Sequence, residues 1–295
     1  MGLWSLARPG RVVVVLADVV AGAALVTFRF DALDPGVFGT LAALLAAAAC
    51  LFLAEGLWAA AFDTRAPDRE PAQDTTRTFL AAAGLTLAGL LLSMQAGWTS
   101  LCVAAGLGVA LLFHALLARR EPVLSALVRG ACRGGSLLLG MTAFGGFLLT
   151  GPPADLVAAC ALLGLYAAAA RLMERGPQDP ADRAVPAAAG VALVACALGA
   201  LAVVHADAAT LALATAAAAF GAGAAAFTVR VQAHRTARAA WIGSVAALLL
   251  ELGWVAGFSA GGPWLWRTGF LVALAGLFVA GLGLTTRVTA RPEPA

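Results

Sequence analysis

The residues whose types and spacing could do chemistry gather in one stretch, Ala54 to Asp74, AEGLWAAAFDTRAPDREPAQD. It closes a long apolar run and then places Asp63, Arg65, Asp68, Arg69, Glu70 and Asp74 in quick succession. Asp63 and Asp68 offer the oxygen donors that a hard divalent cation takes. On an unbroken helix they would point about 140° apart. Pro67 disfavours helical geometry at Ala66, so two readings stand. Either the loop turns both carboxylates toward one ion, or it is a solvated mixed-charge loop. A second acidic segment, Arg175 to Pro186, reads RGPQDPADRAVP. Its Asp179, Pro180 and Asp182 match a helix start, with Asp at the N-cap, Pro at the first helical position and a carboxylate at the third. The same Asp179 and Asp182 could instead face the first loop across Mg²⁺, which takes one or two carboxylates plus substrate phosphates.

Five further charges fall inside or at the edge of apolar runs: Asp18, Glu55, Arg129, Arg133 and Glu251. Charge in hydrocarbon is costly unless paired or wetted, which makes each a candidate functional group. They could pair internally, Asp18 or Glu251 with Arg133, and so fix helix packing. Alternatively Arg129 and Arg133 line a cavity and hold a diphosphate through their guanidinium forks. His114, His205 and His234 are scattered and form no ligand set. No Gly-rich phosphate loop, nucleophile elbow or zinc spacing occurs. Cys50, Cys102, Cys132, Cys160 and Cys196 stand singly in apolar runs and read as small hydrophobes.

The elements that must position these groups are membrane-spanning helices. The 295 residues are 62% apolar and 12% charged, with mean hydropathy +0.91, whereas soluble chains carry roughly 25% charged residues. This composition excludes a soluble enzyme or a nucleic-acid-binding domain. Apolar runs of about 20 residues, the length that crosses a bilayer, recur from end to end. The alternation of a β-barrel is absent, leaving an all-α polytopic membrane protein. Hydropathy predicts ten spans, at 11–29, 38–62, 78–94, 97–117, 126–149, 153–173, 185–204, 208–229, 239–259 and 265–286.

All 19 basic residues are Arg, and their placement alternates. The connections after spans 2, 4, 6 and 8 carry Arg65, Arg69, Arg77, Arg119, Arg120, Arg175, Arg183, Arg235 and Arg238, while the intervening ones carry none. Cytoplasmic loops hold the Arg excess, so a multi-pass protein of the cell membrane with both termini cytoplasmic is expected. Trp98, Trp264 and Trp266 fit an outer aromatic belt. The opening MGLWSLARPGR lacks the pattern of a cleaved signal peptide, so the first span is expected to stay as an anchor. No loop is long enough for a separate domain, and residues 1–295 are expected to form one integral membrane domain. The linkers Thr64–Arg77 and Glu174–Pro186 lie four spans apart with the same sidedness, as a parallel repeat would place them.

Four segments carry a further signal. LARPGRVVVVLADVVAGAAL holds Arg8-Pro9 and Ala17-Asp18, and LVRGACRGGSLLLG holds Cys132-Arg133 and Gly140. GLYAAAARLMERG holds Tyr166, Arg175 and Gly176, and WIGSVAALLLELGWVAGF embeds Glu251. With these motifs the chain resembles the UbiA superfamily of membrane prenyltransferases, most of all its EboC-like branch. The resemblance implies a UbiA-like bundle of nine to ten transmembrane helices around a central cavity with a cytoplasmic mouth. It implies two Asp-rich motifs that bind Mg²⁺ and an isoprenoid diphosphate, whose prenyl group passes to a small acceptor. Asp63, Asp68, Asp179 and Asp182 would then be the metal ligands, with Asp63 and Asp68 central to catalysis. Arg129, Arg133, Asp18, Tyr166 and Arg175 would bind substrate. The chain departs from the family pattern where its Asn-Asp pair falls on Ala59 and Ala60 and its central Asn on Ser136.

Three functions follow. The first is a membrane prenyltransferase. The second keeps the fold without the reaction, as a lipid- or metabolite-binding protein accessory to export. The third is a secondary transporter, which would show broken helices and midplane polar groups in both halves.

Overall fold

The structure is a computed structural model that describes residues 9–30, 36–62, 72–117, 121–144 and 154–174. Six α-helices make up nearly all of them: α1 (Pro9–Phe30), α2 (Gly36–Ala61), α3 (Ala72–Gln95), α4 (Trp98–Leu117), α5 (Pro122–Met141) and α6 (Ala154–Glu174). A short 3₁₀ turn, Thr142–Phe144, prolongs α5. No strand occurs among the described residues. The all-α membrane architecture expected from composition is the one observed, and each of the first six expected spans overlaps a helix. The fifth of these helices ends at Met141, while residues 145–149 of that span lie outside the described residues. The last four spans, and with them the choice between nine and ten, lie outside the described residues.

Two helices outrun their hydropathy. α3 starts at Ala72 rather than 78, and α5 at Pro122 rather than 126. Apolar runs mark only the part of a helix in hydrocarbon, whereas the backbone ladder continues into polar turns. At α5 the start is set by Pro122, which sits at the helix N-terminus, where its missing N–H costs nothing. Among the described residues, Gly36–Ala61, Thr75–Gln95 and Trp98–Leu117 are each long and apolar enough to cross a membrane.

The centre of the bundle is α5, which packs on α1, α4 and α6, while α2 packs most extensively on α3. With little hydrophobic drive between helices in lipid, close packing needs small residues. On α5, Gly130 and Gly134 provide them toward α6. A Cβ on Gly130 would lie 2.2 Å from the Gly164 carbonyl oxygen, and one on Gly134 2.5 Å from that of Cys160. Toward α1 the contact is reciprocal: a Cβ on Gly22 would lie 2.0 Å from the Leu137 oxygen, and one on Gly140 2.0 Å from the Val19 oxygen. α1 adds Ala17, Ala21, Ala23 and Ala24, all fully buried. The two backbones therefore touch, and this lets a side chain as short as aspartate bridge them.

Two connections set the ends of the helices. Between α3 and α4, Gly97 adopts φ +117°, a conformation that L side chains rarely take. Its N–H donates to the Met94 carbonyl (3.0 Å), and its own carbonyl accepts from the Leu101 N–H (3.1 Å). One residue thus stops α3 and starts α4. At the opposite end, Trp58 of α2 stacks on Phe62 (5.7 Å) and meets Phe79 of α3 edge-on (4.8 Å). Its indole N–H donates to Thr86 Oγ1 (3.3 Å). These contacts pin the two helix ends between which the first acidic loop runs in sequence.

Candidate functional site

Arg129 and Arg133 lie one turn apart on α5 and so share a face. Each is held by a carboxylate from a different helix. Arg133 grips Asp18 of α1 side-on: Nε donates to Oδ2, and Nη2 donates to Oδ1 at 2.6 Å. Asp18 is fully buried and Arg133 8% exposed. Arg129 Nη1 donates to Glu55 Oε2 of α2 at 2.6 Å, and its guanidinium carbon lies 5.6 Å above the Phe52 ring.

Glu55 divides its two oxygens. While Oε2 takes Arg129, Oε1 faces His114 Nε2 of α4 at 3.5 Å. The far side of the imidazole returns to α5: His114 Nδ1 lies 3.0 Å from the Ser125 carbonyl oxygen and 3.2 Å from Ser125 Oγ. One ionic belt therefore runs from α1 through α5 to α2 and α4.

Its depth follows from helix rise. At 1.5 Å per residue, Glu55 lies about 9 Å inside the end of α2 and Arg129 about 10 Å inside the start of α5. Asp18 and Arg133 lie about 14–16 Å inside α1 and α5, roughly halfway along these helices. The start of α1, the ends of α2 and α4 and the start of α5 thus meet at one end of the bundle. α6 runs antiparallel to α5, Gly130 meeting Gly164 and Ala168 while Gly134 meets Cys160, so its last turn ends there too. From that end the segments carrying Arg65, Arg69, Arg119, Arg120 and Arg175 depart in sequence.

Of the site residues expected from sequence, the structure brings Asp18, Arg129 and Arg133 together. The internal pairing of Asp18 with Arg133 is present. Tyr166 falls on α6. Asp63, Asp68, Arg175, Asp179, Asp182 and Glu251 lie outside the described residues. Ala59, where the resemblance leads one to expect an Asn, stands one turn after Glu55 and on its face of α2. The oxygen-bearing residue on that face is therefore one turn deeper and bound to arginine. Ser136, where the resemblance leads one to expect an Asn, is fully buried and donates to the Cys132 carbonyl of its own helix (2.8 Å). His114 and Ser125 were not legible as site residues. The available signal was positional: Glu55 and His114 both occupy the last two turns of helices that end at Arg-bearing loops.

Among the described residues, no group of three or more His, Cys, Asp or Glu side chains could hold a metal ion. Asp18 and Glu55 are both engaged by arginine, so the belt does not fit Mg²⁺. Asp63, Asp68, Asp179 and Asp182, the expected metal ligands, lie outside the described residues.

The bundle is similar to a solved structure of digeranylgeranylglyceryl phosphate synthase in membranes. The TM-score is 0.60 over 88% of this chain and 99% of that chain, at 13% identity. At that identity the likeness is one of fold: the chain has the fold of a membrane prenyltransferase. No protein-family model and no curated protein matches the sequence.

Proposed function

We propose that this chain is a UbiA-like membrane prenyltransferase, of the EboC-like branch, that transfers a prenyl group from an isoprenoid diphosphate to a small acceptor. The observation that carries the reading is the match to a prenyltransferase fold over 88% of the chain. It is supported by Arg129, a largely buried cation at the end where the acidic loops depart.

In such a reaction the bond from the first prenyl carbon to the diphosphate oxygen breaks, and the electron pair leaves with the diphosphate. The allylic cation then bonds to an electron-rich acceptor atom, which loses a proton. Arg129, with Arg133, Tyr166 and Arg175, binds the anionic donor, and Asp18 holds Arg133 in place. Apolar helices keep water from the cation. Asp63, Asp68, Asp179 and Asp182 are the residues that would hold Mg²⁺, which offsets charge on a leaving diphosphate. The protein sits across the cell membrane with both termini cytoplasmic, so donor and metal enter from the cytoplasm.

A second reading, a lipid- or metabolite-binding or export-accessory protein of the same fold, is favoured by one observation. The Asn-Asp pair that the resemblance implies falls on Ala59 and Ala60, which carry no side-chain oxygen. Turnover of radiolabelled prenyl diphosphate in membranes, with and without Mg²⁺ and beside Asp63→Ala, separates the two. The enzyme reading expects Mg²⁺-dependent product in wild type and a fall to background in the variant. Equal background counts in every sample would remove it for the donors tested.

A further inference from the structure

We propose that Glu55 stands in for a phosphate oxygen on Arg129, and that a phosphate-bearing ligand displaces it toward His114. This rests on the reading of the Arg-bearing end as a diphosphate site, and it adds a built-in competitor to that site.

The two arginines of α5 differ in how they are held. Arg133 commits Nε and Nη2 to a fully buried aspartate in a two-point grip. Among the described residues Arg129 uses one N–H on Glu55, of the five that a guanidinium can donate. Its side chain is only 13% exposed, and donors buried without acceptors are costly. Arg129 therefore has both the charge and the spare donors for a tetrahedral oxyanion, which guanidinium forks take bidentately.

Glu55 is built to leave. Its second oxygen already faces His114 Nε2, at 3.5 Å. A small rotation of the carboxylate would shorten that contact as the Arg129 bond lengthens. His114 is braced for this by Ser125 on its other nitrogen. Among the described residues Arg133 takes both oxygens of Asp18, so the exchange belongs to Arg129. Anion binding then has to overcome a bound carboxylate, which lowers affinity and discriminates against weakly charged ligands.

The shared chemistry is a phosphate oxygen, which a prenyl diphosphate or an anionic lipid headgroup could supply. The test uses the full chain in phosphatidylcholine nanodiscs, titrated with farnesyl diphosphate, and in nanodiscs with added phosphatidic acid. Glu55→Gln is expected to tighten binding about tenfold. Arg129→Gln should abolish that gain. His114→Gln should weaken binding, because Glu55 loses its alternative partner. Opposite signs at Glu55 and His114 are not the signature of general destabilisation. A gain seen only with phosphatidic acid upholds the exchange with a lipid occupant and removes the diphosphate reading. Farnesyl diphosphate binding that is unchanged or weaker in Glu55→Gln overturns the exchange and leaves the proposed function standing. Absence of binding to either ligand in all variants removes both.

Discussion

Asp18→Asn is expected to lower the unfolding free energy by about 3–5 kcal/mol, the loss typical when one partner of a buried ion pair is removed. Asp18 is fully buried and takes two N–H groups of Arg133. Asparagine keeps one acceptor oxygen and removes the negative charge that faces the buried Arg133 guanidinium. Reversible unfolding of the purified protein by SDS in mixed micelles measures the change. Replacing both partners by apolar residues, Asp18→Leu with Arg133→Met, should recover a large part of the loss, because two hydrocarbon side chains need no counter-ion. If the double replacement is as damaging as the single one, uncompensated charge is not the cause.

Gly140→Ala is expected to cost about 3 kcal/mol, the upper end of the usual range for overpacking. The new Cβ would lie 2.0 Å from the Val19 carbonyl oxygen, against about 3.3–3.6 Å for an ordinary carbon–oxygen contact. Both atoms belong to rigid helices, so relief requires α1 and α5 to move apart by more than a bond length. That motion stretches the Asp18–Arg133 bridge. The cost should therefore be less than additive with Asp18→Asn, since both changes remove the same contact. Gly106→Ala is the control. Its Cβ would meet nothing within 4 Å, and alanine is the better helix former by roughly 0.5–1 kcal/mol. A cost at Gly106 equal to that at Gly140 would show that the loss comes from helix chemistry rather than from the close approach.

What could be read from sequence was set by local physics. Apolar length placed the six helices, and the scarcity of intramembrane charge made Asp18, Glu55, Arg129 and Arg133 stand out. Their small number even limited the partners, so Asp18 with Arg133 could be named. The Glu55–Arg129–His114 group could not, because it depends on how α2, α4 and α5 are rotated and staggered. Those settings come from contacts such as Gly130 on Gly164 and Trp58 on Phe79, which link residues far apart in the chain. His114 looked isolated because no ligand spacing surrounds it in sequence. Its partners arrive from α2 and from the first turns of α5. The acidic loops are harder for a related reason. Pro67 and Pro180 say where a helix is disfavoured or begins, and not which carboxylates converge.

Both the proposed donor site and the exchange at Arg129 require α5 to be locked at a fixed height by a charge pair reaching across to α1. A double-mutant cycle on Asp18→Asn and Arg133→Gln, followed by SDS unfolding, measures that lock directly. A coupling free energy of about 2–3 kcal/mol is expected. A coupling near zero, with the two single losses simply adding, would contradict it.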